Sequence, residues 1–134
     1  MSDKKKLCLA LAVIFAFLLT LKQVPFVYYG DELGMTHNTK INKDGGYLRT
    51  GARTPMQWTE GKNRGFSESE TLYLPVNAAA GQSVEAMEQK EESLLSVVRR
   101  LIALRKEVSC LHADGQIVFE TDGKRETQLL DTYP

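Results

Sequence analysis

From Val24 to Tyr29 the chain reads VPFVYY, with no charged residue and no alternation between apolar and polar positions. A strand with one wet face alternates, because successive side chains point to opposite faces. A strand that is apolar throughout asks for burial on both faces, the pattern of a parallel sheet covered by helices. Pro25 is compatible with a strand start, where a missing N–H costs no ladder bond. Such a strand needs a parallel neighbour on each edge. The rest of the chain offers one further strand pattern, GQIVFET from Gly115 to Thr121, followed by a polar turn at Asp122-Gly123. One buried strand without its neighbours implies a piece of a larger α/β domain.

The flanking segments fit that reading. Lys4 to Leu21 reads as a helix whose apolar run, LCLALAVIFAFLLTL, covers 15 residues. That is short of the roughly 20 needed to cross a bilayer. The run follows the basic head MSDKKK but passes straight into KQVPF, without the small-residue cleavage site of a signal peptide. The favoured reading is a soluble helix buried nearly all round between a sheet and other helices; the rival is a small non-catalytic protein with an N-terminal membrane anchor. Further on, EESLLSVVRRLIALRKEV sets Leu94, Val97, Val98, Leu101, Leu104 and Val108 on one helical stripe. Glu91 and Glu92 open that helix and Arg105 and Lys106 close it, as the macrodipole favours. Arg99 and Arg100 fall on its solvated face.

Between these helices, from Gly34 to about Lys90, no period survives for long. Glycines recur at 45, 46, 51, 61, 65 and 81, with prolines at 55 and 75. Structureless loops beyond roughly 12–15 residues are rare in compact domains unless they are functional or disordered. Tyr47, Met56, Trp58, Phe66, Leu72, Tyr73 and Leu74 are too apolar for a solvated tail. The expectation is an ordered loop built over a binding site.

The 134 residues carry equal numbers of basic and acidic side chains, interspersed, so no nucleic-acid or anionic-membrane partner is expected. Cys8 and Cys110 lack metal-ligand spacing and read as free, buried thiols. His37 and His112 have no metal-spaced partner and read as surface or capping residues. No phosphate loop, zinc pattern or nucleophile elbow occurs, so neither metal nor cofactor is expected.

The ordered set VPFVYYGDELGM, ARTPMQW, KNRGFS, LYLPVN, VEAM and SLLSVVRRLIALRKE resembles the α-glucosidase, oligo-1,6-glucosidase and trehalose synthase branch of the α-amylase superfamily, glycoside hydrolase family 13. The likeness runs from about Leu7 to Glu120. It implies an α/β fold: the C-terminal fragment of a (β/α)8 barrel, comprising its last two helices, last strand and long loop, running into the first strand of an antiparallel β-domain. Residues 1–112 would end the barrel, with the substrate-side loop at about 34–90, and 113–134 would begin the β-domain. Gly30-Asp31-Glu32 would then sit at the C-terminal end of a barrel strand, where such enzymes build their sites.

The resemblance implies a cytoplasmic piece of a retaining α-glucoside hydrolase or glucosyltransferase, with an α-glucoside disaccharide or oligosaccharide as substrate. Retaining enzymes need two carboxyl groups roughly 5–5.5 Å apart. The family carries these on the loops after the fourth, fifth and seventh strands, upstream of this sequence. No catalytic residue is therefore expected here. Asp31 and Glu32 cannot replace the pair, since neighbours on an extended chain point to opposite faces. The substrate-binding candidates are Arg49, Glu32 and Arg53. By the match, Arg49 reaches the sugar at the cleavage subsite, Glu32 lines the neighbouring subsite, and Arg53 lies beside the acids of the turn. The plainer alternative is that Arg53 and Glu32 pair to hold the loop. Tyr47 and Trp58 can stack on sugar rings, although Trp58 reads better as a packing anchor. Of Tyr28 and Tyr29, one is expected to face the core and one the rim of the site. The sequence departs from the family at MSDKKK, at Lys22-Gln23 and after Glu120, so truncation at both ends is expected. Self-association through exposed apolar surface is expected to follow.

Overall fold

The computed structural model describes residues 3–43, 45–77, 79 and 81–115. Three α-helices organise them: α1 (Asp3–Thr20), α2 (Val84–Glu88) and α3 (Leu94–Glu107). Single 3-10 turns occupy Asp31–Leu33, Tyr47–Ala52, Lys62–Gly65 and Ser109–Leu111.

α1 is built from good helix formers and ends at Thr20, whose hydroxyl turns back to the Ala16 carbonyl at 2.7 Å. Its orphaned C-terminal carbonyls are met from another helix. Arg105 of α3 donates to Leu19 O at 2.6 Å, Leu21 O at 2.9 Å and Gln23 O at 2.6 Å. The sequence places Arg105 at its own helix's end; in the structure its reach across to α1 is the main finding. α3 starts at a capping box. Ser93 Oγ accepts from the Ser96 N–H, and Ser96 Oγ accepts from the Ser93 N–H, each at 3.1 Å. Glu91 and Glu92 precede the cap and lie outside the first turn.

The two long helices pack through Phe15, Leu19, Leu94 and Val98, with Leu11, Ala12 and Leu101 at the margin. A second core, Leu33, Met56, Met87 and Leu95, with Met35 and Val84 at its margin, fills the space between α3 and the long loop. Adjacent leucines of α3 thus face different cores, Leu94 toward α1 and Leu95 toward the loop. Arg99 sits on the exposed face as expected and pairs with Glu88 of α2 at 2.6 Å.

Several expectations are corrected. Residues 24–29 form no strand, and no strand occurs among the described residues. The segment is continuously apolar, as a doubly buried strand should be, yet Val24 is 67% and Phe26 88% exposed. A strand exists only with a partner to bond, and none is present among the described residues. α1 is not buried all round: Leu9, Val13, Ile14 and Phe17 are exposed because α3 covers one face alone. Both cysteines are exposed rather than buried. The strand expected over Gly115–Thr121 and the β-domain start lie outside the described residues beyond Gly115. No described helix is long and apolar enough to cross a membrane.

The long loop is ordered, as expected, and α2 interrupts it. Asn77 ties three of its strands of chain together. Its Nδ2 donates to Thr36 O at 2.6 Å, its Oδ1 accepts from Asn38 at 3.3 Å, and its carbonyl accepts from Gln57 Nε2 at 3.0 Å. Backbone bonds of 2.9 Å from Val84 to Gln57 and from Glu85 to Trp58 join α2 to the ARTPMQW segment. Ser83, the fully buried N-cap of α2, donates to Glu60 at 2.6 Å, and Arg64 pairs with the same carboxylate. The Ser83 hydroxyl, seconded by Arg64, holds the Glu60 carboxyl below its ordinary range.

Candidate functional site

The polar turn after the apolar segment is built by its own acids. Gly30 has φ 89° and ψ −14°, the values of the third residue of a type II turn, which favours glycine. Asp31 N–H donates to Tyr28 O at 3.1 Å and closes that turn. The Asp31 carboxylate accepts the Tyr28 N–H at 3.2 Å, and Glu32 accepts the Gly30 N–H at 2.8 Å. Both acids therefore satisfy main-chain donors at the mouth of the turn. An acceptor-only carboxylate has lone pairs left over, so Glu32 keeps capacity for a second donor.

The two candidate arginines lie on the next turn of the chain. Arg49 lies in the 3-10 turn Tyr47–Ala52 and Arg53 caps its end. Both side chains are exposed, and among the described residues neither enters an ion pair or a hydrogen bond. The alternative in which Arg53 and Glu32 pair is thus not what the structure adopts. Gly51 permits the turn to approach its neighbour closely: a Cβ there would collide with the Asn38 carbonyl, and the Asn38 N–H donates to Gly51 O at 3.1 Å.

What fastens this turn to the end of the apolar segment is Tyr29. Its hydroxyl donates to the Thr54 carbonyl at 3.1 Å, while Thr54 itself is buried. Burial pushes the Tyr29 phenol above its ordinary value, the Tyr28 hydroxyl adds to the rise, and the Arg53 charge opposes it. The Tyr28 and Tyr29 rings lie 4.6 Å apart at 36°. Both face a groove of about 320 Å³ shared with Val27, Glu32, Leu95, Val98, Arg99 and Ile102. The expected division of the two tyrosines between core and rim is not observed. Tyr29 as a clamp was not legible in advance; the available signal was its place as the last aromatic before Gly30.

Other expected site residues scatter. Tyr47 and Trp58 are both exposed, so Trp58 is no buried anchor; its main chain, not its ring, joins the packing against α2. His37 faces Leu48 O at 2.6 Å and His112 faces Lys106 O at 3.3 Å, local contacts of exposed residues. Among the described residues no cluster of His, Cys, Asp and Glu is arranged to hold a metal. Arg49 and Arg53 do not line the groove beside Tyr28, nor the second one, about 360 Å³, between α1 and residues 31–36. Among the described residues, the candidate set thus comprises two exposed guanidinium groups without a hydrogen-bond partner and a carboxylate that accepts from the Gly30 N–H.

Comparison with known proteins supplies the family. The profile of the family described as alpha amylase, catalytic domain, matches residues 1–114. Trehalose synthase of Thermus thermophilus is 38% identical over 114 residues, which cover 80% of this chain and 11% of that protein. Maltase A2 of Drosophila melanogaster is 32% identical over 109 residues, covering 78% of this chain and 19% of that one. Among solved structures, isomaltulose synthase from Klebsiella sp. LX3 superposes with a TM-score of 0.65 at 22% identity, over 78% of this chain and 24% of its own. At that identity the superposition speaks for the fold, which is part of a (β/α)8-barrel domain. The chain spans between 11% and 20% of the length of these and similar curated relatives.

Proposed function

The chain belongs to the α-amylase family, glycoside hydrolase family 13, on its trehalose synthase and α-glucosidase side, and from that premise we propose that it is the part of an α-glucoside-processing catalytic domain that supplies one wall of the sugar site. In this reading Arg49 donates to a pyranose hydroxyl pair at the cleavage subsite. Glu32 accepts from the sugar next to it, and Arg53 sets the field around the Tyr29 clamp. The catalytic carboxylates come from other parts of the domain, so these residues bind and orient without performing glycosyl transfer. The substrate class is an α-linked glucose disaccharide or oligosaccharide, processed with retention.

One observation carries the reading. Arg49 and Arg53 stand exposed and unpaired on a turn that Tyr29 fastens to the Gly30 turn through Thr54. An unpaired arginine on a merely structural loop is ordinary; two on a turn clamped to the mouth of a barrel-strand segment are well suited to a polyhydroxylated ligand. Maltose binding, followed by chemical-shift perturbation or calorimetry, tests it. Charge-assisted hydrogen bonds are worth about 1.5–3 kcal/mol, so Arg49→Ala should weaken binding by about tenfold or more. Equal binding by parent and folded variant would refute the role given to Arg49. Hydrolysis of an aryl α-glucoside by the pure chain would refute the absence of catalytic carboxyl groups.

A further inference from the structure

Arg49 is exposed, yet the main chain on either side of it is held. The Leu48 carbonyl, one residue before it, lies 2.6 Å from His37 Nε2. Thr50, one residue after it, is buried, and its hydroxyl donates to Lys43 O at 3.4 Å. The Gly51 carbonyl accepts the Asn38 N–H at 3.1 Å. Consecutive residues, His37 and Asn38, thus grip the turn before and after Arg49. That grip is braced from behind. Asn77 Oδ1 accepts from the Asn38 side chain at 3.3 Å, and Asn77 Nδ2 donates to Thr36 O at 2.6 Å.

His37 reaches both ends of the held arc. A carbonyl oxygen only accepts, so the Nε2 that faces Leu48 O carries a proton and donates it. The same ring lies against the far end: a Cβ on Gly51 would come within 2.8 Å of His37 Cδ2. A tether at Gly51 alone would let the turn pivot about that point. The bond at Leu48 removes the pivot. The opposite end of the segment has its own fastener, the Tyr29 hydroxyl on Thr54 O at 3.1 Å. His37 is an exposed residue, so no hydrophobic core requires a ring at this position.

We propose that His37 is a positioning residue for Arg49: its Nε2–H fixes the Leu48 carbonyl and so aims the guanidinium at the sugar. The inference rests on the proposed reading of Arg49 as a sugar-binding group and adds to it the residue that orients it. His37 acts through the turn and needs no contact with the sugar. A main chain ordered before the ligand arrives leaves only the Arg49 side chain to be ordered on binding, which lowers the entropic cost of that step.

The test uses the full chain, with maltose binding followed by calorimetry and amide exchange followed by NMR. His37→Leu removes the donor. One net hydrogen bond corresponds to a change of about two- to tenfold in an equilibrium. Maltose should bind more weakly by that factor, and the Asn38 amide, whose acceptor lies on the turn, should exchange faster by a similar one. His37→Gln offers an amide N–H to the same carbonyl and should restore both. His37→Ser, too short to reach Leu48, repeats the loss without adding an exposed apolar group. In an Arg49→Ala background, His37→Leu should cause no further loss of affinity, because its effect runs through the missing guanidinium. An equal loss in both backgrounds would make His37 a general structural residue and overturn the proposal. Unchanged Asn38 exchange in both His37→Leu and His37→Ser overturns it too, whatever maltose does. A chain that binds no maltose, but whose Asn38 exchange quickens in His37→Leu and recovers in His37→Gln, sinks the sugar-binding reading and supports His37 as the residue that holds the turn.

Discussion

At the scale of single residues, the molecule shows why two acids follow a glycine at the end of an apolar run. Gly30 adopts a left-handed conformation that an L side chain enters at a cost of about 1–2 kcal/mol. A Cβ at Gly30 would also press on the Met35 side chain. Gly30→Ala should therefore lower stability by about 1–3 kcal/mol in urea unfolding. The two contributions separate cleanly: Gly30→Ala combined with Met35→Ala relieves the collision and leaves the backbone strain. If the double variant recovers the parent's stability beyond the cost of the lost methionine, strain is not the cause. Full tolerance of Gly30→Ala alone would mean that the type II turn is not required. The acids themselves, read from sequence as an isolated pair at a site mouth, were half legible. Their position after an apolar run ending in glycine is plain in the sequence, but their bonds to the Tyr28 and Gly30 N–H groups follow from the turn type, which the residue order alone does not fix.

At the scale of elements, helices could be read and partnerships could not. The 3.6-residue period of Leu94, Val98 and Leu101 is a property of the segment itself, so α3 was visible in the sequence. The three bonds from Arg105 to residues 19, 21 and 23 join positions more than eighty apart, and no local pattern records them. For the same reason residues 24–29 were read as a strand: their composition answers to strand neighbours, and none occurs among the described residues. Arg105 terminates α1 in place of a C-capping glycine and sets the direction in which the chain leaves toward Val24. Arg105→Met keeps much of the apolar stem and removes all three donors. Its loss should cost about 1.5–3 kcal/mol, the usual range for hydrogen bonds from a charged donor. Exchange at the Leu21 and Gln23 amides should quicken with it, since both belong to the turn that Arg105 holds. Unchanged exchange at those amides would show the cap to be dispensable.

At the scale of the whole molecule, α3 is the element on which two cores meet. Phe15 and Leu19 reach it from one side, and Leu33, Met56 and Met87 from the other. The arginine turn runs into Thr54, whose carbonyl receives the Tyr29 hydroxyl, and Met56 of the second core follows two residues later. Leu95→Ala should cost about 2–5 kcal/mol, as buried leucine truncations do. Its effect should fall on the loop: the amides of Val84 and Glu85, bonded to Gln57 and Trp58, should lose protection while α1 keeps its own. Phe15→Ala should do the reverse, exposing α1 and sparing residues 54–58. Hydrogen exchange with peptide-level readout separates the two patterns. If either substitution strips protection uniformly from both halves, the chain folds as one cooperative unit. The arginine turn would then have no stability apart from the helix pair.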